Sequence, residues 1–218
     1  MPALPALVIF DCDGVLVDSE RIANAVMVAH MAQAGWSITE AESRKRFIGK
    51  RMVDVTTAIE ANTGRKLADS WLADFEAARD IAFTTQLKPV AGITDVLHRL
   101  KTAGIPFCVA SSGSHAKMRH SLGLTGLLPL LEDHLFSATE VARGKPHPDI
   151  FLHAAARMGH ASSDCVVVED TPTGAAAAKA AGMRCFGYAA DSDAATLIAY
   201  GAICFTAMAE LPGLFGLN

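Results

Sequence analysis

The sequence predicts an α/β protein, a doubly wound, Rossmann-like parallel sheet interrupted by one all-helical insertion. Three observations carry that prediction. Short apolar runs at residues 7–10, 107–110, 135–137 and 165–168 read as strands, and Cys165, Val166, Val167 and Val168 form the unbroken apolar pattern of a strand buried on both faces. From Pro89 onward helical periods separate these runs, so crossover helices join parallel strands. Residues 17–87, by contrast, hold only helical patterns.

The first strand, residues 7–10, ends abruptly at Asp11. Ser19 and Glu20 lead a helix to about Gly35, with Ile22, Val26, Met27 and Met31 near a helical period. Thr39, with Glu42 three residues later, forms a capping box that opens a second helix to about Phe47. Gly49 breaks the pattern. Helices over 53–63, stopped by Gly64, and over 69–86 complete the insertion. A helix over 93–103 then leads to a strand at 107–110, which ends in Ser111, Ser112, Gly113 and Ser114, where another helix begins. After the strand at 135–137, Pro148 precedes a helix over 149–158. The strand at 165–168 ends in Glu169 and Asp170, and Pro172 opens the next helix at a favoured first-turn position, closed by Gly182. Strands at 184–188 and 203–205, a helix over 194–200 between them and a short last helix from about residue 207 finish the chain. The expected domains are an α/β core of residues 1–16 and 88–218, and a helical domain of residues 17–87.

The 218 residues, 51% hydrophobic and 19% charged, suit a well-packed globular chain. A net charge of -4 gives no electrostatic case for a nucleic-acid or membrane-surface partner. No apolar run is long enough to span a bilayer. The apolar start lacks a basic leader and a cleavage site, so it reads as a strand and not a signal peptide. Five cysteines, an odd number with four in strand-like runs, indicate reduced thiols and a cytoplasmic protein, expected as a monomer or weak homodimer. The absence of a C-x-x-C spacing argues against zinc.

Four strand ends carry the polar groups that matter. Asp11 and Asp13 follow the first strand, Ser111 the second and Glu169 with Asp170 the fourth, while Lys145 lies in the loop of residues 143–148 after the third. In a parallel sheet these ends share one edge, where ligands of open α/β sheets bind. Four carboxylates beside one lysine repel each other until a cation joins them, and Mg2+, with its hard-oxygen chemistry, fits the donors. A phosphate can then enter, with Lys145 offsetting its charge and Ser111 donating a hydrogen bond. Asp11, first at the strand tip, is placed as the nucleophile on phosphorus, and Asp13 as the acid that protonates the leaving oxygen and the base for the attacking water. Asp11, the Asp13 backbone carbonyl and Asp170 are expected to hold Mg2+, with Glu169 beside them. Ser112 and Gly113 belong to the expected phosphate loop. Gly49, Lys50 and Arg51 are candidate contacts to the rest of the substrate, although for Lys50 or Arg51 taken alone surface exposure is the favoured reading. His115 and Lys117 either touch substrate or lie on a helix surface, His147 orders its loop, and Cys12 packs.

Asp-Cys-Asp-Gly-Val-Leu-Val-Asp-Ser-Glu at 11–20, Val-Ala-Ser-Ser at 109–112, Gly-Lys-Pro-His-Pro-Asp at 144–149 and Val-Glu-Asp-Thr-Pro-Thr-Gly at 168–174 resemble, in order and spacing, the four motifs of the haloacid dehalogenase superfamily. The resemblance is to its phosphatase branch with a helical cap between the first two motifs, and it covers essentially the whole chain. It implies a Mg2+-dependent phosphomonoesterase whose partner is a small phosphorylated metabolite and whose mobile cap is the helical domain. It assigns Asp11, Asp13, Ser111, Lys145, Glu169 and Asp170 the roles given above. The stretches at 46–50 and 117–121 are similar to bacterial sugar-phosphate phosphatases, including those acting on 6-phosphogluconate. Two alternatives remain open. One is phosphoryl transfer within a sugar phosphate, as in β-phosphoglucomutase, against which stand Ala23 and Met52 where that mutase has a cap histidine and arginine. The other is a phosphate-binding protein without catalysis, against which stands the full set of catalytic positions.

Overall fold

The computed structural model describes residues 4–47 and 52–217. Within them the chain divides into two compact units, one of residues 1–18 and 88–218, the other of residues 19–87.

The larger unit is built on a parallel sheet of six described strands: β1 (Leu7–Phe10), β2 (Phe107–Ser111), β3 (Leu135–Ser137), β4 (Cys165–Glu169), β5 (Arg184–Tyr188) and β6 (Ile203–Phe205). Their order is β3-β2-β1-β4-β5-β6, so β1 is central and the winding reverses beside it. That reversal is the topological switch point at which doubly wound sheets bind their ligands. β1, β2 and β4 are buried along their whole length, as their apolar sequences require.

Side chains alternate between the two faces. Leu7, Ile9, Cys108, Ala110, Cys165 and Val167 face α8 (Asp149–Arg157) and α9 (Pro172–Ala180), which meet them with Ile150, Phe151, Ala154, Ala175 and Ala178. The alanines bring α9 close to the sheet. On the other face Phe10, Val168 and Phe186 are in register, and Phe186 meets Phe215 of α11 (Leu211–Phe215) edge to face at 5.3 Å. α11 packs in turn on α5 (Ile93–Thr102), whose Ile93, Val96, Leu97 and Leu100 are buried. The remaining helices of this unit are α6 (His115–Leu124), α7 (Leu128–Leu131) and α10 (Ala194–Ala199).

The smaller unit holds α1 (Glu20–Gln33), α2 (Glu40–Phe47), α3 (Met52–Thr63) and α4 (Trp71–Gln86). Met27, Met31, Val55, Ile59 and Phe75 form its core, with Trp36, Phe47 and Trp71 packed around them. The capping box at α2 forms as its sequence indicates: Glu42 N donates to Thr39 Oγ1 at 3.1 Å and Thr39 N donates to Glu42 Oε2 at 2.9 Å.

Two strands run one residue further than the sequence indicates, so that Ser111 and Glu169 are themselves the last residues of β2 and β4. The short α7 and the 3-10 turns at Glu132–His134 and Ala138–Glu140 have no counterpart in the sequence reading, because three or four residues are too few to show a period. All five cysteines are free thiols, and no described helix is long and apolar enough to cross a membrane.

Candidate active site

Phe10 pairs in register with Val109 on one side and Val168 on the other, which brings the ends of β1, β2 and β4 to one rim. The ladder continues one residue further, where Asp11 N donates to the Val168 carbonyl at 2.9 Å. Asp11 therefore leaves the sheet from a fixed backbone, with its side chain buried between β2 and β4. A tight turn follows: Leu16 N and Val17 N donate to the Cys12 carbonyl at 2.9 and 3.1 Å, and Gly14 N donates to the Val17 carbonyl at 2.9 Å.

Lys145 reaches the rim from the loop before α8. Arg143 grips Asp149 with two hydrogen bonds, of 3.1 and 2.8 Å, and so ties the ends of that loop together. The Lys145 ammonium donates to Asp11 Oδ1 at 2.6 Å, Glu169 Oε1 at 2.6 Å and the Ala110 carbonyl at 3.1 Å, which uses its three protons. Its nitrogen also lies 4.8 Å from the centre of the Phe151 ring. Burial works against its charge, but Asp11 and Glu169 outweigh burial and hold the ammonium above its ordinary value, so it stays a cation. Burial pushes the Asp11 carboxyl up to about 7; Lys145 opposes this, while Glu169 and Asp13 add to it.

Glu169 is fully engaged by the protein. Its Oε2 accepts from Asp170 N, Thr171 N and Thr171 Oγ1, each at 2.9 Å, while Oε1 takes Lys145. It sits under the start of α9, where Thr171 Oγ1 caps Gly174 N at 3.1 Å and a Cβ at position 174 would overlap the Glu169 carboxylate. Gly14 has the matching role at the other carboxylate. Its φ is +78°, and a Cβ there would overlap the Asp170 carboxylate. Asp11, Glu169 and Asp170 are all buried, and each offers an oxygen within 4.8 Å of the others. The donors are hard oxygens throughout, the set that suits Mg2+ and not a soft metal. The residues thus fit a divalent cation.

Asp13 is directed elsewhere. Its Oδ2 accepts from Lys117 Nζ at 2.7 Å. With Lys117 included, four carboxylates face two lysines, which leaves a net -2 when all are ionised, the charge one divalent ion neutralises.

Ser111 is buried at the end of β2, and its Oγ accepts from Gly113 N at 3.0 Å. Ser137 Oγ donates to the Gly113 carbonyl at 2.7 Å and thereby pins the loop that holds Ser112. His115 pairs with Glu140 at 2.9 Å, and His147 N closes its own loop on the Gly144 carbonyl at 3.0 Å. Cys12 is buried, and burial, with Asp13 and Asp11 adding, pushes its thiol up and makes it unreactive. Gly49, Lys50 and Arg51 lie outside the described residues.

The structure thus brings Asp11, Lys145, Glu169 and Asp170 into one buried cluster, with Asp13 and Ser111 on its rim. Sequence reasoning named Lys117 without its partner Asp13, and did not assign Ser137, Glu140 or Thr171 to the site. Ser137, Glu140 and Thr171 had a signal: Ser137 and Glu140 stand at the spacing of a capping box, and Thr171 before Pro172 at that of an N-cap.

A six-stranded parallel sheet whose central strand ends in this acid and lysine cluster defines the class. The chain belongs to the haloacid dehalogenase-like hydrolases, whose family model matches residues 5–182. It is 32% identical over 210 residues to the 6-phosphogluconate phosphatase of Escherichia coli, covering 95% of this chain and 93% of that protein. Among solved structures it resembles a conserved haloacid dehalogenase-like protein from Agrobacterium tumefaciens, with TM-score 0.88, 36% identity and 97% of both chains covered. It also resembles a hydrolase of the family from Deinococcus radiodurans with bound phosphate and sodium, with TM-score 0.87, 32% identity, and 99% of this chain and 98% of that one covered.

Proposed function

We propose that this chain is a Mg2+-dependent phosphatase that hydrolyses small phosphomonoesters, of the sugar and sugar-acid class, through an aspartyl-phosphate formed on Asp11. The observation that carries this reading is the buried Asp11 carboxylate, at the tip of the central strand, 2.6 Å from Lys145 and within the acid cluster. The similarity to 6-phosphogluconate phosphatase supports the substrate class.

Asp11, Asp170 and the Asp13 backbone carbonyl would hold Mg2+, with Glu169 beside them, and the ion when bound supplies the positive charge that lets a phosphate dianion approach the acids. Asp11 attacks phosphorus with a carboxylate oxygen. The ester P–O bond breaks, and Asp13 gives its proton to the departing alcohol. Lys145, Ser111 and the backbone of Ser112 and Gly113 stabilise charge on the equatorial oxygens. Water then bonds to phosphorus as its proton passes to Asp13. The Asp11 oxygen leaves, and inorganic phosphate is released. Glu169 fixes Lys145 through this cycle, and Gly14 lets the turn pass close to Asp170. The helical unit would serve as the cap, with Gly49, Lys50 and Arg51 reading the part of the substrate beyond its phosphate.

Hydrolysis of p-nitrophenyl phosphate and of sugar phosphates tests this reading. Turnover should require Mg2+ and fall at least about 10³-fold in Asp11→Asn, as loss of a covalent nucleophile implies. Undiminished turnover in EDTA, or in the variant, would remove the ion or the nucleophile from the mechanism.

A further inference from the structure

Four carboxylates share the rim, but the two lysines divide them. Lys145 takes Asp11 and Glu169, whereas Lys117 takes Asp13. The group of buried oxygens that lie within 4.8 Å of one another contains Asp11, Glu169 and Asp170 and leaves the Asp13 side chain out. That separation has a chemical consequence. A carboxylate bound to the ion cannot also carry a proton to and from the reacting oxygens.

Lys117 is placed for this contact by its local structure. It stands in the first turn of α6, where its backbone N–H donates to the Ser114 cap at 3.3 Å. Its side chain then runs across Gly113. A Cβ at that position would lie 3.2 Å from Lys117 Cδ and 3.3 Å from Ser111 Oγ, closer than such contacts normally allow. A bare backbone at 113, fixed by Ser137, is what leaves the lysine its path to Asp13. The pair is partly open to solvent, with 34% of the Lys117 side chain and 19% of Asp13 exposed. Its loss therefore does not strand a charge in the core.

We infer that Lys117 is a positioning residue for the proton transfers: its bond to Asp13 Oδ2 keeps that carboxylate apart from the metal-binding acids and in the orientation that serves the leaving oxygen. The inference rests on the phosphatase reading above. In the first half-reaction the ester P–O bond breaks and the proton on Asp13 goes to the alcohol oxygen, which leaves Asp13 as the carboxylate that Lys117 holds. In the second half-reaction the attacking water returns a proton to Asp13. Lys117 needs no contact with the reacting atoms in either step.

The test compares kcat/KM, which reports the steps up to departure of the alcohol, for p-nitrophenyl phosphate and a primary alkyl phosphate. The nitrophenolate leaves with little help from an acid, whereas the alkoxide needs a proton. Lys117→Met should lower kcat/KM for the alkyl phosphate at least about tenfold more than for the aryl one, within the roughly 10²–10⁴-fold that general acid catalysis supplies. Lys117→Arg should restore much of the difference, and competitive inhibition by inorganic phosphate should be unchanged in both variants. Equal losses on the two substrates, or weaker phosphate inhibition, would overturn the inference, the first by showing a structural role and the second a direct phosphate contact. Asp13→Asn, measured in parallel, separates the two levels. A selective loss of alkyl phosphate turnover in that variant upholds the proton-transfer reading, and Lys117 is then judged alone. Unchanged rates in Asp13→Asn would sink the reading and the inference together.

Discussion

Lys145 holds two buried carboxylates at 2.6 Å each, and its removal leaves both without their shared cation. Breaking a buried ion pair from one side costs about 3–5 kcal/mol, because the remaining charge is stranded in a medium that solvates it poorly. Lys145→Met should therefore lower the free energy of unfolding, measured by urea titration in EDTA, by an amount of that order. Adding Asp11→Asn to the same chain should recover part of the loss, since one of the two stranded charges is then gone. A double variant no more stable than the single one would show that Asp11 and Lys145 do not act as a pair. At this scale the sequence was informative where chemistry is tied to a strand end. Asp11, Lys145, Glu169 and Asp170 stand in short motifs whose residue types already suit a cation and a phosphate. Lys117 was left between a substrate contact and a helix surface, because its partner lies 104 positions earlier and only the packed sheet brings the two together.

The Ala138–Glu140 turn shows what a short element contributes. Glu140 Oε1 accepts from Ser137 N at 2.6 Å and from His115 at 2.9 Å, and Oε2 meets His153 at 3.2 Å, so one carboxylate ties the end of β3 to α6 and α8. Burial alone would raise its pKa, but the Ser137 N–H and the two histidines outweigh burial and hold the carboxyl below the ordinary 4.5. A carboxyl whose folded value is depressed adds stability that is fully present above its unfolded value and is lost as pH falls through the folded one. Glu140→Gln keeps an acceptor for the cap but loses the charge. The variant should unfold at a lower urea concentration than the parent at neutral pH, with a free energy of unfolding smaller by no more than about 1 kcal/mol for a solvent-accessible pair. The gap should close as the pH is brought well below 4.5. A gap that stays constant with pH would mean the charge is irrelevant to these contacts. The longer elements were legible because period and caps act locally, as Thr39 with Glu42 and Thr171 with Pro172 show. The 3-10 turns and α7 were not, because they owe their shape to the surfaces they join.

Across the whole molecule, alternating strands and helices were enough to give a parallel sheet, while the strand order had to come from packing. The order β3-β2-β1-β4-β5-β6 puts β1 between β2 and β4, and that placement lets acids separated by more than a hundred residues meet at one rim. Gathering like charges there works against folding until a cation joins them, so the site and the stability of the chain are linked. The linkage can be measured. A ligand that binds only the folded chain stabilises it by about 2.7 kcal/mol at a hundredfold excess over its Kd, which for a chain of this size is a rise in melting temperature of roughly 5–10 °C. Mg2+ should produce such a rise in the parent chain, relative to EDTA. Asp170→Asn removes one acid of the proposed metal-binding cluster and also one of the buried like charges beside Asp11. Its melting temperature in EDTA should equal or exceed the parent's, and Mg2+ should no longer raise it. A variant that melts lower in EDTA and still gains the full rise with Mg2+ would mean that Asp170 neither repels its neighbours nor holds the ion. Gly14, whose missing side chain makes room for that carboxylate, would then need another explanation.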